Sequence, residues 1–202
     1  MVHMRDGDTD GISKRILSIL CACCLALGTL ALFAPAAQAG ERVCRGTIGA
    51  ATLDDVRVPS GATCKLNGTT VKGNVKVYGG ARLYASGVKV NGDVQGERFR
   101  VVVVKDRSRI GGNVQLKLGR SGGAGHVVGT RVDGDLQYEE NRSRMVARSS
   151  TVLGNLQVFK NTGGVVLKSN RVSQNLQCGQ NRPAPTGGGN QAGSKEGQCA
   201  RL

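Results

Sequence analysis

Asp93 and Asp135 stand at the same point of a repeated six-residue phrase, and Asp133 lies two residues before Asp135, with Glu139 and Glu140 beyond it. Two carboxylates held close together are the minimum for acid–base cleavage of a glycosidic bond. Alternating on one strand, Asp133 and Asp135 would be about 7 Å apart. A calcium ion needs at least three closely placed oxygen donors, more than this pair supplies. A glycan-cleaving site also needs an extended cleft, and the turns between phrases are too short to build one. The sequence therefore predicts no catalytic residue, no metal site and no cofactor, and a small polysaccharide-active enzyme is only a third reading.

The carboxylates belong to a longer series. Asn74, Asp93, Asn113, Asp135, Asn155 and Asn175 recur in register, followed two residues on by Lys76, Gln95, Gln115, Gln137, Gln157 and Gln177. Stacked Asn and Gln side chains hydrogen-bond from layer to layer, which makes the series structural. A flat array of amides and carboxylates also suits sugar hydroxyls, so the amides and aspartates from Asn74 to Gln157 form a candidate glycan-facing ladder.

A second series precedes each phrase: Thr70, Lys89, Arg109, Arg131, Thr151 and Arg171. Like charges directly opposite destabilise a sheet by a few tenths to about 1 kcal/mol. The row is therefore either offset by nearby Asp106 and Asp133 or available to a polyanion. In the second case Lys89, Arg109, Arg131 and Arg171 are the candidate polyanion-binding residues, and the partner is an anionic cell-wall polymer or an acidic polysaccharide. Few aromatics interleave with the row and no base-reading motif is present, so sequence-specific nucleic-acid binding is not expected.

The elements that position these series follow from the phrase itself. It reads Val71-Lys72-Gly73-Asn74-Val75-Lys76, Val90-Asn91-Gly92-Asp93-Val94-Gln95, Ile110-Gly111-Gly112-Asn113-Val114-Gln115, Val132-Asp133-Gly134-Asp135-Leu136-Gln137, Val152-Leu153-Gly154-Asn155-Leu156-Gln157 and Val172-Ser173-Gln174-Asn175-Leu176-Gln177. Successive starts are 19, 20, 22, 20 and 20 residues apart. A fixed period on strand-forming residues predicts an all-β fold, a right-handed parallel β-helix (solenoid) of about seven coils with ~20 residues per coil. Period-2 alternation turns Val71, Gly73, Val75 and Val77 inward. The glycine recurs at 73, 92, 112, 134 and 154, which points to a corner or bulge where two walls of the tube approach closely. A second inward pair occurs in each coil, as in Cys64 and Leu66, Leu83 and Ala85, Met145 and Ala147, and Val165 and Leu167. The same count would turn Lys105 inward after Val101-Val102-Val103-Val104. An unpaired buried lysine is costly, so a register shift is expected there. The Gly-rich stretch 120–125 accounts for the 22-residue spacing.

Residues 1–39 read as a signal peptide. Lys14 and Arg15 precede an apolar run over 16–33, and Ala37-Gln38-Ala39 supplies the small-x-small pattern for cleavage after Ala39. An uncleaved anchor is the rival, because the run is at the lower edge of a membrane span. The remaining divisions are an N-terminal cap over 40–52, solenoid repeats over 53–178 and a Gly/Pro-rich C-terminal lid over 179–202. This implies a secreted protein, extracellular or cell-wall associated. The remaining cysteines are Cys44, Cys64, Cys178 and Cys199, and each neighbouring pair is about one coil apart, so Cys44–Cys64 and Cys178–Cys199 are the expected disulfides. The formal charge is +14, and residues 1–39 carry as many acids as bases, so the whole excess lies in the rest of the chain and favours anionic partners.

The Val-x-Gly-Asp/Asn-Val/Leu-Gln phrase at this spacing resembles the repeats of short secreted bacterial β-solenoid proteins and is similar in style to the bactofilins. The resemblance covers about residues 53–178 and implies a polymer-forming scaffold, so self-association is a further expectation. Bactofilins are cytoplasmic or bound to the inner membrane, and the export signal and four cysteines here depart from that pattern. The expected function is a non-enzymatic structural or surface protein of the bacterial envelope, with a binding module for an anionic glycan or cell-wall polymer as the alternative.

Overall fold

The computed structural model describes residues 40–202, and the signal peptide expected over 1–39 lies outside the described residues. The described chain is a parallel β-solenoid of about eight turns, and no helix occurs among the described residues. Three sheets of nine, eight and seven strands form its walls, and each turn of the chain visits them in the same order. One turn runs from Leu156–Phe159 in the first sheet to Val165–Lys168 in the second and Arg171–Val172 in the third, and Asn175–Gly179 starts the next turn. Every pairing is parallel, with equivalent phrase positions in register, such as Val114 beside Leu136 and Leu136 beside Leu156.

Alternation along these short strands fills the interior with small and β-branched side chains. Val75, Val94, Val114, Leu136, Leu156 and Leu176 make one buried column, and Val71, Val90, Ile110, Val132, Val152 and Val172 another. The valine run obeys the expectation of a shift. Val102 and Val104 are buried and pair with Leu83 and Ala85, while Lys105 is exposed. The extra residue is taken up at the next corner, where both Asp106 and Arg107 have positive φ. Volume is conserved between turns as well as within them. Gly125 faces inward, and a Cβ there would overlap the end of Met145, which fills the space.

Both ends extend the repeat beyond the recognisable phrases. Glu41–Val43 pairs with Asp55–Val58, so residues 40–52 contribute strands to the walls. Thr186–Gly188 and Ser194–Gly197 add a final turn, so residues 179–202 continue the solenoid as well as closing it. Cys44–Cys64 and Cys178–Cys199 are disulfide-bonded with Cα–Cα distances of 5.4 and 5.3 Å, one bridge between turns at each end.

The corners are polar inside. At the corner between the first and second sheets, Asn141, Asn161 and Asn181 are fully or almost fully buried and stack on one another. Asn161 donates through Nδ2 to the Tyr138 carbonyl (2.9 Å) and to Asn181 Oδ1 (2.9 Å), while its Oδ1 accepts the Asn141 N–H (3.1 Å) and Asn141 Nδ2 (2.9 Å). Gln198 ends the series by accepting from Asn181 Nδ2 at 3.0 Å. Ser108, Thr130, Ser150, Asn170 and Asn190 do the same at the next corner. Each of these side chains satisfies a backbone group that the turn leaves without a strand partner.

Asn161→Ala should therefore cost roughly 2–5 kcal/mol, because more than one buried group loses its partner. Gln157→Ala, on the half-exposed outer face, should stay within about 0.5 kcal/mol. Denaturant unfolding of the oxidised protein measures both.

Candidate functional site

The Asp/Asn series sits at the third corner, where the chain passes from the third sheet back to the first. Each side chain turns toward the following turn of the solenoid, and its Oδ1 accepts that turn's backbone N–H. Asn74 accepts from Asp93 at 2.9 Å, Asp93 from Asn113 at 2.7 Å, Asn113 from Asp135 at 2.8 Å, Asp135 from Asn155 at 2.6 Å and Asn155 from Asn175 at 3.2 Å. Two further members extend the series beyond Asn74–Asn175, one of them in the degenerate coil Asp55-Val56-Arg57-Val58 that the sequence aligns with Asn74-Val75-Lys76-Val77. Asp55 starts the series by accepting the Asn74 N–H at 2.6 Å, and the Ser194 hydroxyl ends it by donating to Asn175 Oδ1 at 2.8 Å. Asp55 lies 19 residues before Asn74, so its spacing was the available signal. Ser194 has none.

This geometry gives the recurrent glycine a sharper reason than wall proximity. A Cβ on Gly73, Gly112, Gly134 or Gly154 would overlap the Oδ1 atom of Asp55, Asp93, Asn113 or Asp135 respectively. The glycine of one turn leaves the space that the carboxylate or amide of the preceding turn occupies. Gln174 is the exception, and it coincides with the longest bond of the series, 3.2 Å at Asn155–Asn175. The Gln174 N–H also lies 3.3 Å from its carbonyl partner, Gly154, against 3.0 Å for Gly154 to Gly134 and Gly134 to Gly112. Asp and Asn both supply the acceptor required here, and the Asn that follows each Asp also donates through Nδ2 to its Oδ1, at 3.4 Å from Asn74 and Asn113 and 3.3 Å from Asn155.

The candidate glycan-facing ladder thus divides into two parts. Asn74, Asp93, Asn113, Asp135 and Asn155 are half-buried, with Oδ1 engaged by backbone. Gln95, Gln115, Gln137 and Gln157 lie on the outer face of the first sheet. Gln137 donates to Gln157 and Gln157 to Gln177, each at 3.1 Å, and Gln95 donates to Asp93 at 3.2 Å. Beside Gln95 and Gln115 an open groove of about 560 Å³ is also lined by Lys76, Tyr78, Lys117, Leu118 and Glu139. Tyr78 and Leu118 are each 41% exposed. An aromatic and an aliphatic side chain next to the Gln115 amide can hold one face of a sugar ring and its hydroxyls.

The cationic row occupies the outer face of the third sheet, with Arg109 paired between Lys89 and Arg131 and Thr151 between Arg131 and Arg171. Asp133 bridges the middle of it, accepting from Arg109 Nη2 at 2.9 Å and from Arg131 Nε at 2.6 Å. Burial pushes the Asp133 carboxyl up, but the hydrogen bonds from Arg109 and Arg131 outweigh it and hold the group below the usual carboxylate range. Asp106 joins the Ser86 hydroxyl and Lys105 instead of the row, and these bonds lower its carboxyl as well. Lys89 and Arg171 make no ion pair among the described residues. Glu139 and Glu140 pair with Lys117 (2.8 Å) and Lys160 (3.5 Å).

His126 lies half-buried on the outer face of the second sheet, its Nε2 buried without a hydrogen-bond partner. Burial, with Arg144 nearby, lowers its basicity and favours the neutral ring. Among the described residues no group of three metal-ligating side chains occurs. Comparison with known protein families, curated proteins and solved structures finds no match.

The glycine and the carboxylate should behave as one unit in a double-mutant cycle. Gly154→Ala alone should cost about 1–3 kcal/mol by overpacking, and Asp135→Ala alone about 1–3 kcal/mol by stranding the Asn155 N–H. The double variant should fall short of the sum by more than about 0.5 kcal/mol, as expected for residues in contact. Asp135→Asn should be close to neutral.

Proposed function

We propose that this chain is a secreted, non-enzymatic structural protein, a covalently closed rod displayed at the bacterial envelope. The observation that carries this reading is the employment of the side chains best suited to chemistry. Asp93 and Asp135 hold the backbone of the next turn, and Asp133 neutralises two arginines. A general acid or nucleophile needs a free carboxyl facing substrate. Two disulfides are compatible with an oxidising, extracellular setting. The repeat's likeness to bactofilins supports a bacterial scaffold, and the strands at the two ends of the stack are the edges through which rods could associate.

The second reading, a binding module for an anionic glycan or cell-wall polymer, is favoured by the groove beside Gln95, Gln115 and Tyr78 together with the +14 charge.

Intact producing cells labelled with a membrane-impermeant amine reagent should carry the label on this protein, and the purified oxidised chain should release no reducing ends from acidic polysaccharides. Confinement to the cytosol would overturn the surface role. Reducing-end release abolished by Asp135→Asn would overturn the non-enzymatic one. Salt-sensitive retention on polygalacturonate that is lost in a Tyr78→Ala, Gln95→Ala variant would support the second reading.

A further inference from the structure

The outer face of the second sheet differs from those of the other two walls. Parallel register stacks Tyr84, Val103, His126, Val146 and Val166 in one outward column, with Val101, Ala124 and Val128 beside it. Tyr84 is 36% exposed and the others are half-buried. An apolar stripe therefore runs down the middle of an exterior wall, rising about 4.8 Å per turn. The His126 ring sits within it, and its Nε2 is buried without a hydrogen-bond partner. The corresponding outward column of the first sheet is Lys76, Gln95, Gln115, Gln137 and Gln157, and that of the third is lysine, arginine and threonine.

Charge on this wall has one sign. Its strands carry Lys65, Arg82, Lys105, Arg144, Arg148 and Lys168, and no Asp or Glu among the described residues. Register places Arg82 and Arg144 along one margin of the stripe and Lys105, Arg148 and Lys168 along the other. Asp106, at the corner beyond, meets Lys105. First-sheet strands instead carry as many carboxylates as cations. A second copy on the second-sheet face would set like charges against each other along both margins. The face fits a partner that is anionic at its surface and apolar just beneath, whatever its register along the rod. An anionic bilayer has that order. Its headgroups meet the lysine and arginine tips, whose apolar stems lie alongside the stripe, and the Tyr84 ring suits the headgroup level. The valines are short and half-buried, so contact stops at the interface and the rod lies on the membrane without crossing it.

We propose that the second-sheet face is a lipid-docking surface that lays the rod along an anionic membrane. The stripe from Tyr84 to Val166 faces the acyl boundary, and Arg82, Arg144, Arg148 and Lys168 engage the headgroups. This surface is separate from the first-sheet groove and from the third-sheet row.

Co-sedimentation of the oxidised protein with vesicles tests this, comparing equal parts phosphatidylglycerol and phosphatidylcholine with phosphatidylcholine alone at about 0.15 M salt. Wild type should bind the anionic vesicles about tenfold or more tighter than the neutral ones. Each basic residue close to such a surface is worth about fivefold in affinity, so an Arg144→Gln, Lys168→Gln variant should lose about tenfold or more. A Val103→Thr, Val146→Thr, Val166→Thr variant keeps every charge and every β-branched shape, and should lose about threefold or more. An Arg42→Gln, Arg201→Gln control removes the same charge from exposed positions outside this wall and should stay within about twofold. All the altered side chains lie on the outside, so unchanged circular dichroism is the check on folding. Equal losses in the Arg144, Lys168 variant and the control would overturn the proposal in favour of net charge. Undiminished binding by the threonine variant would overturn it in favour of a purely ionic attraction. A dimer of wild type without lipid that the threonine variant dissolves would overturn it in favour of a second copy, and no binding of anionic vesicles by wild type would overturn it outright.

Discussion

Parallel stacking obliges every turn to pass its corner backbone groups to the turn above or below, and this requirement organises the molecule. Strands of two to five residues satisfy their own ladders, but at each corner the chain changes direction and the sheet cannot supply a partner. An unpaired buried amide costs about 1–3 kcal/mol, and a solenoid repeats any such defect at every turn. The protein meets the need with short polar side chains: asparagine at the first corner in the later turns, a hydroxyl or asparagine at the second, and asparagine or aspartate at the third. Because the acceptor comes from the neighbouring turn, no turn is complete alone. Stability is correspondingly a property of the stack, which is why a disulfide between turns at either end is well placed to prevent fraying.

The same requirement decides what was legible in the sequence. The third corner is readable because its two demands, an acceptor and a space for it, impose a glycine and an Asp or Asn at fixed spacing. The inward valines and leucines follow from alternation, and Lys105 announces its own register shift because a lone lysine cannot be buried. The buried asparagines at 141, 161 and 181 were not legible. The equivalent positions in the preceding turns are Phe99 and Gly119, since Phe99 fills that part of the core and Gly119 lies against it. No periodic signal survives such an exchange, and asparagine is ordinarily expected on the surface. The end turns were hidden for a related reason: strands such as Thr47–Ile48 and Ser194–Gly197 pair through backbone and need no particular side chain.

Lys89, Arg109, Arg131 and Arg171 are exposed, as alternation expects, whereas the Asp/Asn series expected on the outer face is half-buried at a corner, and the partners of neither series were predictable. Which carboxylate meets which arginine depends on side-chain reach across turns, as in Asp133 serving both Arg109 and Arg131 while Asp106 serves Lys105. Spacing along the chain does not specify that choice. The positive charge left over after internal pairing is spread over the surface, on residues such as Arg82, Lys89, Arg144, Lys168 and Arg171 that make no ion pair among the described residues.

The central claim is that the Asp/Asn series is backbone architecture and not a ligand-facing array, and amide hydrogen exchange tests it residue by residue. The backbone N–H groups of Asp93, Asn113, Asp135 and Asn155 have no sheet partner and are held only by a side chain from the preceding turn. They should exchange as slowly as the neighbouring sheet amides of Val114 and Leu136, through the same cooperative opening of the stack. Exchange as fast as in the exposed turn at Ser121 and Gly122 would contradict the account, because the ladder would then leave those amides open to solvent.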